Sequence, residues 1–346
     1  MTSLIYCLVG CNTGSPEKDA LHVLEMDAES GAARIVQTVK GRFEGTTYFQ
    51  FDWNGTTLYS MIGEKRNAKS IGMLVSFPVK DHRIGEMKRL TDLPCEAPCH
   101  LALSPDRRLI STAAYCGKTA CIYDLATSNL ISVVLTDKDV GPREDRQKQA
   151  YAHQTFYTPD GRMIGVVDLG CDRIHFYDLK FKKLFELTSD AGDGPRHAIF
   201  SADGKRLFVV NELSSTVTSY RYDGERTFTK VSKLRMTPEG TDEKTTKAAA
   251  IKLTKDGKML MASNRGLDSI AFYDVEEDGT LRFRTRAPLT GKFPRDFELT
   301  PDEKYMVVGH KMSNEIQVYR FDRGICALTP VGKPIACWRP LCFKFF

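Results

Sequence analysis

The chain has 346 residues, 42% of them apolar and 27% charged, with 49 Lys and Arg against 44 Asp and Glu for a net charge of +5. Such a composition describes a globular chain that can bury a sizeable core, and it excludes a disordered or collagen-like polymer. The basic residues are scattered among the acids, which argues against nucleic-acid binding, and no apolar stretch approaches the ~18 residues of a membrane helix. The opening MTSLIYCLVGCN lacks the basic start and long apolar run of a secretory signal, so a cytoplasmic location is expected. The ten cysteines then read as reduced, buried small side chains. Neither Cys7 with Cys11 nor Cys95 and Cys99 with His100 has the paired spacing of a zinc site, so neither a metal nor a cofactor is expected.

In chain order, LIYCLVG (4–10), ALHVLEMD (20–27) and ARIVQTV (33–39) read as three strands. A unit of strand, tight turn and strand then recurs six times, as FQFDWNGTTLYSM, LALSPDRRLISTA, FYTPDGRMIGVVD, IFSADGKRLFVVN, IKLTKDGKMLMASN and FELTPDEKYMVVGH. Its turn residues Asn54, Asp106, Asp160, Asp203, Asp256 and Asp302 stand 43 to 54 residues apart, which suits a four-stranded propeller blade with loops of varying length. Most copies continue into a third strand, such as RIHFYDL or SIAFYDV, and a more variable fourth, such as TKVSKLRM. The segment TDKDVGPREDRQKQAYAHQ (136–154) lies outside the repeat and reads either as a solvated loop or as a loop folded over a binding site. At the end, PLCFKFF (340–346) is a strand without a blade, and joining it to the three opening strands leaves no sheet edge open. The expectation is all-β: a seven-bladed β-propeller of four-stranded antiparallel blades, closed by pairing of the terminal strands, in one domain over residues 1–346.

Residues equally far before and after a hairpin turn share one end of the sheet. Seven and six positions before the turn residues stand Thr47 and Tyr48, Cys99 and His100, His153 and Gln154, Arg196 and His197, Ala249 and Ala250, and Arg295 and Asp296. Eight and nine positions after the last five stand Ala114 and Tyr115, Asp168 and Leu169, Asn211 and Glu212, Asn264 and Arg265, and His310 and Lys311. One rim is therefore expected to gather Arg196, His197 and Glu212, with His153, Asp168, Arg265 and Arg295 arriving from adjoining blades. Arginines facing one cavity bind carboxylate or phosphate through charge-assisted hydrogen bonds, and histidine suits proton transfer near neutrality. No nucleophile motif, Gly-rich phosphate loop or metal-spaced set accompanies them.

The stretches GPRHAIFSADGKRLFVVNELSSTVTSY, HQTFYTPDGRMIGVVDLGCDRIHFYDL, MASNRGLDSIAFYDV and FPRDFELTPDEKYMVVG resemble the seven-bladed propeller lactonase family. That family contains the propeller-type 6-phosphogluconolactonases and the fungal carboxy-cis,cis-muconate cyclases. The resemblance covers nearly the whole chain, including the GPREDRQ insert and the closing PLCFKF. It implies that His153, Arg196, Glu212 and Arg265 are the catalytic residues and that no cofactor takes part. The arginines would hold an anionic lactone and polarise its carbonyl, while His153, with Glu212, activates water. His100, His197, Asp168, Asn264 and Arg295 are expected to contribute to substrate binding. The chain departs from the family pattern at Tyr151, where a histidine is usual, at Ala114 in place of an asparagine, at Ala250 in place of an acid and at His310 in place of a glutamine.

The reading is hydrolysis of 6-phospho-D-glucono-1,5-lactone in the pentose phosphate pathway by a monomer or weak homodimer whose partner is a small anionic lactone. Two alternatives stay open: a cycloisomerase or hydrolase of another carboxylated, muconate-type lactone, and a non-enzymatic binding propeller.

Overall fold

The computed structural model describes residues 3–12, 14, 19–39, 45–66, 69–96, 98–136 and 138–346, and every regular element among them is a β-strand. The recurring turn explains the repeat. Thr158 donates its hydroxyl to the Asp160 carboxylate (2.6 Å), and the same oxygen accepts the N–H of Arg162 (3.0 Å). Thr254 with Asp256 and Thr300 with Asp302 repeat the arrangement at 2.7 Å. The residue after the aspartate takes a left-handed conformation, which Gly161 and Gly204 adopt freely (φ 71° and 70°) and which Arg107 and Glu303 are forced into (φ 58° and 59°).

The strands form seven sheets among the described residues. β1 (Leu4–Cys11), β2 (Leu21–Asp27) and β3 (Ala33–Val39) belong to the first. The second holds β4 (Thr46–Phe51), β5 (Thr57–Arg66), β6 (Lys69–Lys80), the two-residue β7 (Arg83–Ile84) and β8 (Lys88–Leu93). Four regular four-stranded antiparallel sheets follow. They are β9 (Pro98–Leu103), β10 (Leu109–Ala114), β11 (Thr119–Asp124) and β12 (Leu130–Val134); β13 (Ala152–Tyr157), β14 (Ile164–Asp168), β15 (Arg173–Tyr177) and β16 (Lys183–Thr188); β17 (Pro195–Phe200), β18 (Arg206–Asn211), β19 (Thr216–Tyr222) and β20 (Phe228–Arg235); and β21 (Lys247–Leu253), β22 (Met259–Arg265), β23 (Ser269–Val275) and β24 (Leu281–Pro288). The last sheet is β25 (Pro294–Leu299), β26 (Tyr305–His310), β27 (Glu315–Asp322) and β28 (Ala327–Ala336), after which β29 (Pro340–Phe345) completes the first. The second sheet departs from the four-strand expectation because a turn with positive φ at Asp81 and His82 folds β7 back on β6 as a short spur, while β8 takes the fourth place.

Two compact units result: residues 1–98 with 287–346, and residues 99–286. In the first, β29 pairs antiparallel with β1 from Cys7↔Phe345 to Cys11↔Pro340, so the two ends of the chain share one sheet as the sequence predicts. A bulge at Gly10 and Cys11 interrupts this ladder, and a Cβ on Gly10 would collide with the Thr46 carbonyl and the Cys342 sulfur, so only glycine fits. In the second unit the middle strands are buried on both faces, which is why segments such as RLFVVN read as apolar runs. Phe156, Val167, Ile174 and Phe176 of one sheet pack against Ala198, Leu207, Val209 and Tyr220 of the next. Truncating a fully buried phenylalanine such as Phe176 costs about 3–5 kcal/mol.

Candidate active site

The first strands of these sheets carry a recurrent irregularity. The β13 ladder steps from Ala152↔Asp168 to Gln154↔Val167, leaving His153 as the extra residue of a bulge. Likewise the β17 ladder steps from Pro195↔Asn211 to His197↔Val210 and leaves out Arg196. A bulge re-aims a side chain that regular pleating would commit to a sheet face. Counting seven residues back from Asp160, Asp203 and Asp302 therefore finds the bulged positions His153, Arg196 and Arg295.

Glu212, directly after β18, is the centre of the site. Its backbone is fixed between sheets, the N–H donating to Gly194 O (2.7 Å) and the carbonyl accepting from Ala248 N (3.2 Å). Its carboxylate lies between three guanidiniums: Arg265 Nη2 is 2.7 Å and Arg196 Nε 3.1 Å from Oε2, and Arg146 Nη2 is 2.7 Å from Oε1. Arg196 Nη1 also donates to Ala249 O (2.7 Å), and Arg265 Nη2 to Ala248 O (2.5 Å), so neighbouring carbonyls help to fix both side chains. His153, Arg196, Glu212 and Arg265 are each 5% exposed or less. Burial opposes ionisation of Glu212, but Arg265, Arg196, His153 and the hydrogen bond from Arg146 outweigh it and hold the carboxyl well below its ordinary range. Three guanidiniums against one carboxylate leave an excess of positive charge that an anionic ligand would balance.

Beside this cluster stand three histidines. His197 meets His153 edge to face at 5.1 Å between ring centres and His100 at 5.5 Å. Arg196 Nη1 lies 3.3 Å from His197 Nε2, and since a guanidinium only donates, the imidazole nitrogen accepts. His100 is pulled down to about 3 by burial, with Arg196 and Lys252 adding to the effect, so its ring is neutral at physiological pH. Tyr115 stacks on Tyr151 (4.4 Å) and meets His153 in a T-shaped contact (5.6 Å). Burial, with the charge of Glu212, pushes the Tyr115 phenol up to about 12.

Of the residues expected at this rim, His100, His153, Arg196, His197, Glu212 and Arg265 come together through these contacts. Asp168 and Asn264 have their polar atoms turned on the chain itself. Asp168 Oδ1 accepts the N–H groups of Tyr151 (2.8 Å), Gly170 (2.9 Å) and Cys171 (3.2 Å), and Oδ2 lies 3.3 Å from His175 Nε2. Asn264 donates to Ser215 Oγ (3.2 Å) and accepts from Leu267 N (3.2 Å). Arg295 occupies the bulge of β25, in the other unit. The sequence reading missed Arg146, which the insert brings in. That insert is anchored by Arg143 Nε on Gly192 O (2.7 Å), by Gln147 Nε2 on Leu169 O (3.0 Å) and by an ion pair of Arg143 with Glu243. The basic residues of GPREDRQ were the available signal, but outside the repeat no register assigns one of them to Glu212.

Among the described residues one grouping has metal-ligand character, Cys11, His22 and Cys337, and it contains none of the site residues.

Residues 6–345 match the model of the family described as lactonase, 7-bladed beta-propeller. The 6-phosphogluconolactonase of Bacillus subtilis (strain 168) is 28% identical over 341 residues, covering 94% of each chain. A protein from Lactobacillus plantarum superimposes with a TM-score of 0.88 at 27% identity over 99% of this chain and 100% of its own. The periplasmic gluconolactonase of Pseudomonas aeruginosa, at 23% identity and a TM-score of 0.86 over 99% of each chain, shares the fold. The seven sheets are thus the blades of a β-propeller, and the chain belongs to the seven-bladed β-propeller lactonase family.

Proposed function

We propose that the chain hydrolyses an anionic sugar lactone, with 6-phospho-D-glucono-1,5-lactone as substrate and a place in the cytoplasmic pentose phosphate pathway. The observation that carries this reading is the cluster of Arg146, Arg196 and Arg265 around the single carboxylate of Glu212, beside His153. The excess positive charge suits a phosphorylated substrate, and the name of the Bacillus subtilis relative points the same way.

His153 takes a proton from water as the water attacks the lactone carbonyl. Arg196 and Arg265 stabilise the oxyanion that develops, an effect typically worth about 100 to 1000-fold per donor. Collapse of the tetrahedral intermediate breaks the ring C–O bond, and the protonated His153 returns its proton to the departing alkoxide. Glu212 acts here as the anchor of the arginines, since a carboxyl held far below its ordinary range is a weak base at neutral pH.

The test is a panel of lactones assayed against the spontaneous hydrolysis background. The expected result is acceleration of the 6-phosphorylated lactone with a larger kcat/KM than for its unphosphorylated counterpart. If only a carboxylated lactone is turned over, the substrate assignment fails. If none is, the hydrolase reading fails.

A further inference from the structure

We propose that Cys11, His22 and Cys337 form a zinc-class metal site that clips together the two ends of the chain. Their ligand atoms all lie within 4.8 Å of one another and all three residues are buried. Cys11 Sγ and Cys337 Sγ are 3.4 Å apart, close to the edge of about 3.8 Å that two thiolates share on a tetrahedral zinc with Zn–S bonds of about 2.3 Å. His22 Nδ1 is 3.0 Å from Thr38 Oγ1, its cross-strand partner, which occupies one ring nitrogen and leaves the other for a metal. Ligating histidines are normally oriented by such an outer contact.

The backbone holds these side chains independently of any ion. Cys11 ends β1 and donates its N–H to Ala20 O (2.9 Å), two residues before His22. Cys337, between β28 and β29, donates to Asn314 O (2.9 Å), and Asn12 N to Arg339 O (3.1 Å) closes the same junction. Two sulfurs and one imidazole are a soft set suited to Zn²⁺, with the fourth tetrahedral position left for water. Binding would replace the two S–H protons by two metal–sulfur bonds and release both protons to solvent. The ion would join residues 326 apart in sequence, tying the end of β1 to the approach of β29. A cross-link over so long a loop restricts the unfolded chain most.

The experiment uses the full chain, stripped with a chelator under reductant and titrated with Co²⁺ and then Zn²⁺. We expect one Co²⁺ per chain, with the intense thiolate-to-cobalt charge-transfer absorption of a tetrahedral site, its displacement by Zn²⁺ and a higher Tm with Zn²⁺ than without. Cys337→Ser should abolish the absorption, and Thr38→Ala should weaken the metal affinity about 10–100-fold. Cys116→Ser, at an exposed cysteine elsewhere, should change neither. Should Cys337→Ser fail to fold, the wild-type titration and Thr38→Ala still decide. The proposal is overturned by the absence of a charge-transfer band, by a band that Cys337→Ser leaves intact, or by recovery of Cys11 and Cys337 as a disulfide-linked peptide pair from protein prepared without reductant. None of these readouts depends on lactone hydrolysis.

Discussion

Asp168 and Glu212 stand at nearly the same place in adjacent sheets, one at the end of β14 and the other just beyond β18, and both are buried. Their surroundings make them opposites. Asp168 is ringed by backbone N–H groups, of Tyr151 and of its own turn, and holds the backbone, whereas Glu212 is ringed by guanidiniums from its own sheet, the next sheet and an insert and holds the site. A carboxylate answered by backbone N–H groups is complete in itself. One answered by three cations leaves a demand for more negative charge, and that demand is what a substrate can meet.

Substitutions at the two positions should therefore fail differently. Glu212→Ala leaves three cations facing one another in a buried site, and we expect activity to vanish together with a loss of about 3–5 kcal/mol in denaturant unfolding. A variant as stable as the parent would show that the arginines do not depend on Glu212. Asp168→Ala should cost about 1–3 kcal/mol from orphaned N–H groups, with kcat unchanged once the protein is folded; a large fall in kcat at normal KM would place Asp168 in the chemistry.

Acid sharpens the same contrast. His100 is neutral in the folded chain down to about 3, while in the unfolded chain it takes a proton below about 6.5. The unfolded state then binds more protons in that window, so stability falls as pH drops through it, by about 1.4 kcal/mol per pH unit for one such group. Glu212 contributes in the same direction at lower pH, because a depressed carboxyl loses its stabilisation only as pH falls beneath the ordinary value of about 4.3. Urea midpoints measured from pH 7 to 4.5 should decline less steeply for His100→Gln than for the parent; parallel slopes would contradict the assignment. The smallest effect belongs to Arg146→Ala, which removes a partly exposed partner of Glu212. Stability should change by no more than about 1 kcal/mol while KM for the phosphorylated lactone rises.

The blades were legible because each repeats one turn chemistry, and a count from the turn aspartate carries straight to the bulge where His153 and Arg196 stand. The same count could not separate Asp168 from Glu212. It fixes which end of a sheet a residue occupies, but its partner depends on whether the next groups in space are backbone N–H donors or arginine side chains. Arg146 was out of reach for a related reason, since its segment has no repeat to count from. Cys11 and Cys337 meet only because β29 returns to β1, a contact that no local spacing records.

The central claim is that His153 is the base of a lactone hydrolase whose arginines Glu212 keeps in place. Its most direct test is the steady-state hydrolysis of 6-phospho-D-glucono-1,5-lactone, corrected for the spontaneous reaction, by the parent and by His153→Ala, with the Tm of both recorded. The account predicts a fall in kcat of about 100 to 10,000-fold with little change in KM or Tm. A His153→Ala protein that retains the parent's kcat would contradict it.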